Sequence, residues 1–184
     1  RAEWADKVPF SLILGGLRPG KAAEAMDERL ARFLAGHWKK VAQVSGQAFA
    51  MGILEDRDFI YDTEPPCRAV RVVRELQPES EFDFFKAVQE AFYAQNQDTN
   101  KLETYLPLCE AFGIDGEEFS LAYGSETYQK ATYTDFQRAG EIGVRSFPTV
   151  LLRVNESMHV LATGYASYAE LDARLRATLE YELK

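Results

Sequence analysis

The spacing of apolar residues changes near Phe147, and this change constrains the fold more than any other feature of the sequence. Between residues 21 and 142, apolar side chains recur mainly at helical spacing. Beyond Phe147, two short apolar runs, Thr149–Val154 and His159–Ala162, are separated by a polar turn. Two such runs with so short a link predict a β-hairpin. An earlier run, Phe10–Leu14, is apolar at nearly every position and predicts a strand buried on both faces.

The order of predicted elements is a strand, a series of helices, a hairpin and a last amphipathic helix from Tyr168, which defines an α/β fold. We expect residues 1–20 and 143–184 to form one domain, and residues 21–142 to form a large helical insertion with its connecting helices. One of these helices is predicted to begin after Thr63, a suitable N-cap residue. The insertion is expected to pack around Val70, Phe82, Phe85, Phe92 and Leu106.

Composition and charge disfavour several classes of function. The 29 acidic against 21 basic residues give a net charge of −8, which disfavours nucleic acid and anionic lipid as partners. No apolar run approaches the roughly 20 residues of a membrane span, or forms a signal-peptide core, so we expect a cytoplasmic protein. The two His and two Cys, with no H-E-x-x-H or C-x-x-C motif, predict no metal site.

The segment Gly143–Leu152 (GVRSFPTVLL) resembles the cis-proline segment of thioredoxin-like oxidoreductases. In that superfamily a Gly-Val pair ends a helix, and a Pro followed by Thr opens the first strand of the hairpin. Three further stretches resemble features of one branch of this superfamily. Thr63–Ala69 is similar to the start of an insertion helix, Ala111–Phe119 to a turn, and Thr163–Tyr165 to a Gly-Tyr ending. On these residues the chain is similar to the DsbA-like group, and within it to the FrnE-like branch of candidate protein disulfide isomerases.

This resemblance implies a thioredoxin-like fold and thiol–disulfide exchange, without a cofactor, on proteins or peptides that contain thiols or disulfides. It also implies a cis peptide bond at Phe147–Pro148, which leaves the Phe147 backbone facing outward to pair with an extended substrate by strand addition. The expected substrate-binding residues are Ser146, Phe147, Pro148 and Thr149. From the residues alone, a trans Pro148 that opens an edge strand is an alternative.

The sequence departs from the family in one respect that bears on catalysis. The family's reactive C-x-x-C follows the first strand, at the start of the first helix, and neither feature occurs between Arg1 and Lys184. The resemblance therefore implies no catalytic residue within this sequence, and we expect the catalytic cysteines upstream of Arg1. Without the central first strand two buried sheet edges would be unpaired, so we expect a longer natural protein. The alternative is a chain that recruits a strand from elsewhere.

Cys67 is a further candidate for a reactive thiol. It lies near the predicted start of a helix, where partial positive charge lowers the pKa of a thiol, although Glu64 opposes this effect. Buried structural cysteine is the more common case. Cys109 follows an apolar helical stripe and is expected in the core. Spacing alone does not support a disulfide between the two.

Two other functions stay open from the sequence. One is a glutathione-dependent isomerase or transferase, similar to 2-hydroxychromene-2-carboxylate isomerases and kappa-class glutathione transferases, with glutathione as its cofactor. The other is a non-catalytic thioredoxin-like module that binds a partner through its helical insertion. The residues upstream of Arg1 distinguish the three functions. An oxidoreductase would carry two cysteines there, a glutathione-dependent enzyme a single Ser or Cys, and a binding module no reactive thiol. The Gly164-Tyr165 ending favours the oxidoreductase.

Overall fold

A computed structural model describes residues 2–182 as a mostly helical chain with one well-developed β-hairpin. The helices are α1 (Glu28–Ser45), α2 (Glu64–Leu76), α3 (Glu81–Tyr93), α4 (Leu106–Phe112), α5 (Gly116–Tyr123), α6 (Glu126–Glu141) and α7 (Tyr168–Glu182). The strands are β1 (Glu24–Ala25), β2 (Ile60–Tyr61), β3 (Thr149–Val154) and β4 (Ser157–Thr163). Short 3-10 turns lie at Ala2–Trp4, Gly20–Ala22, Gly52–Leu54, Pro78–Ser80 and Leu102–Thr104.

Strands β3 and β4 form the antiparallel hairpin that the sequence predicts. Thr149 lies opposite Thr163, and Val154 lies opposite Ser157. The turn between the strands includes Asn155 at φ 52°, in the left-handed region that Asn enters more readily than most residues. The buried face of the hairpin packs against the N-terminal turn and α7 through Trp4, Leu152, Val154, Leu161 and Leu175. The hairpin therefore presents the loop before Thr149 from a rigid base.

The predicted strand at Phe10–Leu14 is wrong, because this segment pairs with no strand among residues 2–182. The segment is also only partly buried, since Leu14 is almost fully enclosed but Phe10 is 44% exposed. Side chains take the place of a neighbouring strand as hydrogen-bond partners. The Leu12 carbonyl accepts from Arg74 Nη2 at 2.9 Å. The Leu14 N–H donates to Asp135 Oδ2 at 3.4 Å. Apolar spacing reports burial but does not identify hydrogen-bond partners, which explains the error.

Arg74, on α2, is the centre of a polar cluster that joins three helices to residues 10–14. Its Nε lies 2.5 Å from Glu81 at the start of α3, and its Nη1 lies 2.7 Å from Asp135 on α6. The Arg74 side chain is 21% exposed, and those of its two acidic partners are 11% and 12% exposed. Breaking a shielded pair costs more than breaking a surface pair, because the remaining charge is left without compensation. We call Arg74, Glu81 and Asp135 the Arg74 cluster.

The helices pack in two apolar clusters rather than in the single core that the sequence predicts. The first includes Leu14, Val70, Val73, Phe84, Tyr105 and Phe119. The second, around α1, includes Leu30, Trp38, Phe59, Tyr61 and Phe92. On α3 the fully buried side chain is Phe84, not Phe82 or Phe85, because Phe84 and Val88 share the i, i+4 face that is buried. Leu106 is 37% exposed, so its predicted place in the core is wrong.

Helix α1 begins at Glu28, later than the apolar pattern from Ala22 predicts. The residues before it form the short ladder between β1 and β2, and the Asp27 side chain then accepts from the Leu30 N–H at 2.7 Å as an N-cap. A ladder and a cap at these positions leave no room for an earlier helix start. The backbone pairing partner of β1 lies far along the chain, so local spacing could not reveal it.

Within residues 2–182, no helix is both long and apolar enough to cross a membrane. The same part of the chain contains no group of three or more His, Cys, Asp or Glu side chains arranged to hold a metal ion. The division into a domain of residues 1–20 and 143–184 and an insertion of residues 21–142 stays a prediction. Its end positions, Arg1 and residues 183–184, lie outside the described residues.

Replacing Arg74 with Met should lower the free energy of unfolding by about 3 kcal/mol, because Glu81 and Asp135 would lose their counter-charge in a shielded site. Arg71→Met is the control on the same helix, since Arg71 pairs with Glu75, whose side chain is 51% exposed. Exposed pairs contribute at most about 1 kcal/mol. Urea denaturation followed by circular dichroism measures both losses. Equal losses would show that the Arg74 cluster does not hold these elements together.

Candidate functional site

The loop between α6 and β3 is set by the way α6 ends. Gly143 takes φ +82°, a left-handed conformation that favours glycine. The Gly143 N–H donates to the Gly140 carbonyl at 3.1 Å, and the Val144 N–H donates to the Ala139 carbonyl at 3.0 Å. This hydrogen-bonding pattern stops a helix and turns the chain away from its axis. The residues that follow therefore leave α6 as an exposed loop before the hairpin.

The four residues predicted to bind substrate lie together in this loop. The Phe147–Pro148 peptide bond is cis. The Pro148 carbonyl accepts from the Gly164 N–H at 2.7 Å, and the Thr149 hydroxyl donates to the Ser146 carbonyl at 2.7 Å. These bonds fix the loop against the end of β4. Whether the four residues bind a substrate stays a prediction.

Phe147 differs from its neighbours in this loop. It is 41% exposed. Within residues 2–182, neither its N–H nor its carbonyl takes part in a backbone hydrogen bond. A free N–H and a free carbonyl on one exposed residue are the groups that an added strand would pair with.

A glycine-rich loop at residues 15–20 lies beside Phe147, and the sequence reasoning did not assign it to the site. The Phe147 ring occupies the space that a Cβ on Gly15 would need. Gly16 takes φ +59°, and a Cβ there would lie 2.7 Å from the Phe136 ring. Only residues without a side chain allow the backbone to approach both rings. The double glycine was visible in the sequence, but it fitted the end of a strand equally well.

Side chains just before α2 anchor this glycine-rich loop. The Arg18 N–H donates to the Thr63 hydroxyl at 2.9 Å, so Thr63 binds the loop instead of capping α2 with its side chain. Asp62 Oδ1 accepts from the Gly20 N–H at 3.0 Å and from the Glu64 N–H at 2.8 Å. The loop is therefore held at two points while its first two glycines face the aromatic rings.

A groove of about 270 Å³ lies between the two loops and the end of α6. It is lined by Gly15, Gly16, Leu17, Phe136, Ala139, Gly140, Val144, Arg145 and Phe147. Most of these residues are small or apolar, and Arg145 is the charged member of this set. The groove therefore places one cation beside the exposed backbone of Phe147.

A buried ion pair lies at the start of α2. The Glu64 side chain is 5% exposed, and Arg68 Nη2 donates to it at 3.0 Å. Arg68 also donates to the Tyr123 carbonyl at 2.9 Å and lies 4.4 Å from the centre of the Tyr123 ring. Burial raises the pKa of Glu64, while the charge of Arg68 opposes that rise. The pair stabilises the packing of α2 against α5 and places a carboxyl close to Cys67.

The surroundings of the two cysteines do not favour reactive thiols. Burial raises the pKa of Cys67 to about 12, with Glu64 adding to the rise and a backbone hydrogen bond from Gly16 opposing it. Burial raises the pKa of Cys109 to about 11. Both cysteines are free, so they form no disulfide. A nucleophilic cysteine needs a lowered pKa, so these surroundings do not favour the reactive-thiol hypothesis for Cys67, which stays a prediction.

Comparisons with known proteins fit this geometry. The sequence pattern of the thioredoxin family matches residues 69–173. No curated protein matches the chain significantly. The structure of a candidate protein disulfide isomerase from Nitrosomonas europaea is similar, with a TM-score of 0.89 and 28% identity over 98% of this chain and 86% of that chain.

Two structures of the cytosolic disulfide reductase DsbM from Pseudomonas aeruginosa are also similar. One aligns with a TM-score of 0.73 and 22% identity over 92% of this chain and 82% of that chain. The other, with GSH, aligns with a TM-score of 0.70 and 24% identity over 92% of this chain and 81% of that chain. Together these likenesses confirm the thioredoxin-like fold class expected from the sequence.

Replacing Gly16 with Ala should destabilise the fold more than replacing Gly46 with Ala. Both glycines have positive φ, +59° and +70°, but nothing lies within 4 Å of a Cβ on Gly46. A left-handed alanine costs about 1–2 kcal/mol at either site. At Gly16 the contact with the Phe136 ring should add about 1–3 kcal/mol. Urea denaturation measures the difference, and equal losses would mean that the ring moves aside freely.

Cys67 should react slowly with thiol reagents at pH 8. With a pKa near 12 it is almost entirely protonated, and only the thiolate is the nucleophile. Alkylation of the folded chain should be at least about 100-fold slower than in urea, where the thiol pKa returns to about 8.5. Peptide mapping by mass spectrometry separates Cys67 from Cys109. Alkylation of folded Cys67 as fast as in urea would restore it as a reactive thiol.

Proposed function

The chain belongs to the thioredoxin family, and we propose that it acts as a DsbA-like thiol–disulfide oxidoreductase on extended polypeptides. The observation that carries the proposal is Phe147, which is exposed and has a backbone N–H and carbonyl without partners among residues 2–182. The cis Pro148 follows it directly. The similar structures, a candidate disulfide isomerase and a disulfide reductase, support the same class of reaction.

Substrate binding is the part of this function that the described residues supply. An extended substrate pairs its backbone with Phe147, which adds a short strand beside the loop. The pairing uses main-chain groups, so it accepts many sequences, while the neighbouring groove receives substrate side chains. The bonds from Gly164 and Thr149 hold the loop in place before substrate arrives. A held loop binds with a smaller loss of conformational entropy.

The chemical step is thiol–disulfide exchange. A thiolate attacks one sulfur of the substrate disulfide, forms a mixed disulfide and releases the other sulfur as a thiolate. A second cysteine loses its proton and attacks the mixed disulfide, so the substrate leaves as a dithiol and the attacking pair becomes a disulfide. Cys67 and Cys109 do not fit these roles, since burial raises both pKa values. In the family that the sequence resembles, a C-x-x-C supplies these two thiols, and the 184 residues contain no such motif.

Partner and location follow as parts of the proposal. The partners are proteins or peptides that contain thiols or disulfides. A cytoplasmic location is supported only by DsbM, which is described as cytosolic. The glutathione-dependent alternative has weaker support, because the similar structure with GSH is 24% identical.

The 184-residue chain alone should show no catalysed reduction of insulin by dithiothreitol, because it contains no C-x-x-C. A form that carries a C-x-x-C ahead of Arg1 should show turnover. Replacing Cys67 with Ala in that form should leave turnover unchanged, since the Cys67 side chain belongs to the packing around α2. Turbidity of precipitating insulin measures the rate.

Three findings would contradict the proposal. Turnover by the 184-residue chain would assign the chemistry to Cys67 or Cys109. Absence of turnover in a form with an intact C-x-x-C would remove the oxidoreductase and favour a binding module. A form whose upstream segment holds a single Ser would point to the glutathione-dependent reaction.

A further inference from the structure

We propose that Arg145 makes the groove selective for substrates that carry a carboxylate beside the segment paired with Phe147. This inference rests on the proposed function and adds a substrate class to it. The occupant is an extended peptide with an Asp or Glu side chain close to its cysteine. Arg145 acts as a specificity residue that touches substrate, and it takes no part in the exchange of sulfur bonds.

The first observation is the isolation of Arg145. It is the charged residue among those that line the groove, and it is exposed. Several other arginines form ion pairs, including Arg18 with Glu24 at 2.5 Å and Arg68 with Glu64 at 3.0 Å. Among residues 2–182, no carboxylate forms an ion pair with Arg145. Its guanidinium is therefore available to a ligand.

The second observation is the placement of this side chain. Arg145 Nη1 lies 3.8 Å from the position that a Cβ on Gly140 would take, so the side chain lies back along the end of α6. Gly140 and Ala139 are small, which keeps the floor of the groove open below the guanidinium. A carboxylate that enters beside Phe147 would face the N–H donors of the planar Arg145 guanidinium, which can bind both carboxylate oxygens at once.

The third observation is the contrast in charge. The chain carries a net charge of −8, which on its own disfavours acidic ligands. None of the residues that line the groove is acidic, so the local charge there is positive, opposite in sign to the net charge of the chain. A local cation on an acidic protein discriminates between peptides by their charge at one position rather than by their total charge.

The size of the groove points to a side chain as the occupant. Its volume of about 270 Å³ lies just below the range of about 300–1,000 Å³ that is usual for small-molecule sites. The apolar wall formed by Phe136, Val144 and Phe147 would contact the methylene groups of a Glu side chain. The carboxylate at its end would then reach Arg145 at the mouth.

The test compares peptides that differ in one residue. Each peptide is extended, has Ser in place of Cys to prevent exchange, and carries Glu, Gln or Lys at a position next to that Ser. Isothermal titration calorimetry gives the dissociation constants, and NMR of the Phe147 amide reports whether the peptide lies at the loop. Exposed ion pairs are worth about 0.2–1 kcal/mol, so the Glu peptide should bind about 1.4- to fivefold tighter than the Gln peptide.

Two variants assign the preference to Arg145. Arg145→Gln should abolish the preference for Glu over Gln, and Arg145→Glu should reverse it in favour of Lys. Arg138→Gln is the matched control, because Arg138 is exposed on α6 but lies about 160° around the helix from Gly140, away from the groove. This control should keep the full preference.

The outcomes separate the two proposals. Equal affinity for the Glu and Gln peptides, with a shifted Phe147 amide in both, would overturn the role of Arg145 and leave the proposed function standing. The same preference in Arg145→Gln as in the unaltered chain would also overturn it. No shift of the Phe147 amide with any peptide would overturn both proposals.

Discussion

The polar cluster around Arg74 is the constraint on which the position of the site depends. Residues 10–14 lead from the surface into the core without a neighbouring strand among residues 2–182, so the Leu12 carbonyl and the Leu14 N–H need other partners. Arg74 and Asp135 supply those partners while pairing with each other at 2.7 Å. Gly15 follows this held segment directly. The Arg74 cluster therefore sets where one wall of the groove begins.

The groove itself depends on the absence of side chains. Gly15 and Gly16 let the backbone lie against the rings of Phe147 and Phe136, and Gly143 lets α6 end just before the loop. Larger residues at Gly15 and Gly16 would clash with these rings, whereas a Cβ on Gly143 would meet no atom within 4 Å. The result is a groove built from two distant segments of the chain, residues 15–17 and 136–147.

The features that follow from local residue spacing were predictable. Those that depend on the rotation of a helix about its axis, or on pairing between distant segments, were not. The hairpin was predictable because β3 and β4 are adjacent runs with a short polar turn. The buried face of α3 was not, since a shift of one residue exchanges Phe85 for Phe84 in the core. The thiol of Cys67 illustrates a third case. Its position at a helix start suggested a low pKa, but the burial that raises the pKa is a property of the packed fold.

The sequence by itself determined the fold class and the location of the loop around Pro148, because residues 143–152 carry their helix end, their proline and their strand within ten consecutive positions. Tertiary structure alone decided that residues 10–14 would be held by side chains, and that Gly15 and Gly16 would face Phe147. It also decided that Arg145 would lie at a groove without an acidic partner. These are contacts between segments more than 60 residues apart, and a residue's neighbours in space at such separations follow from how whole helices pack.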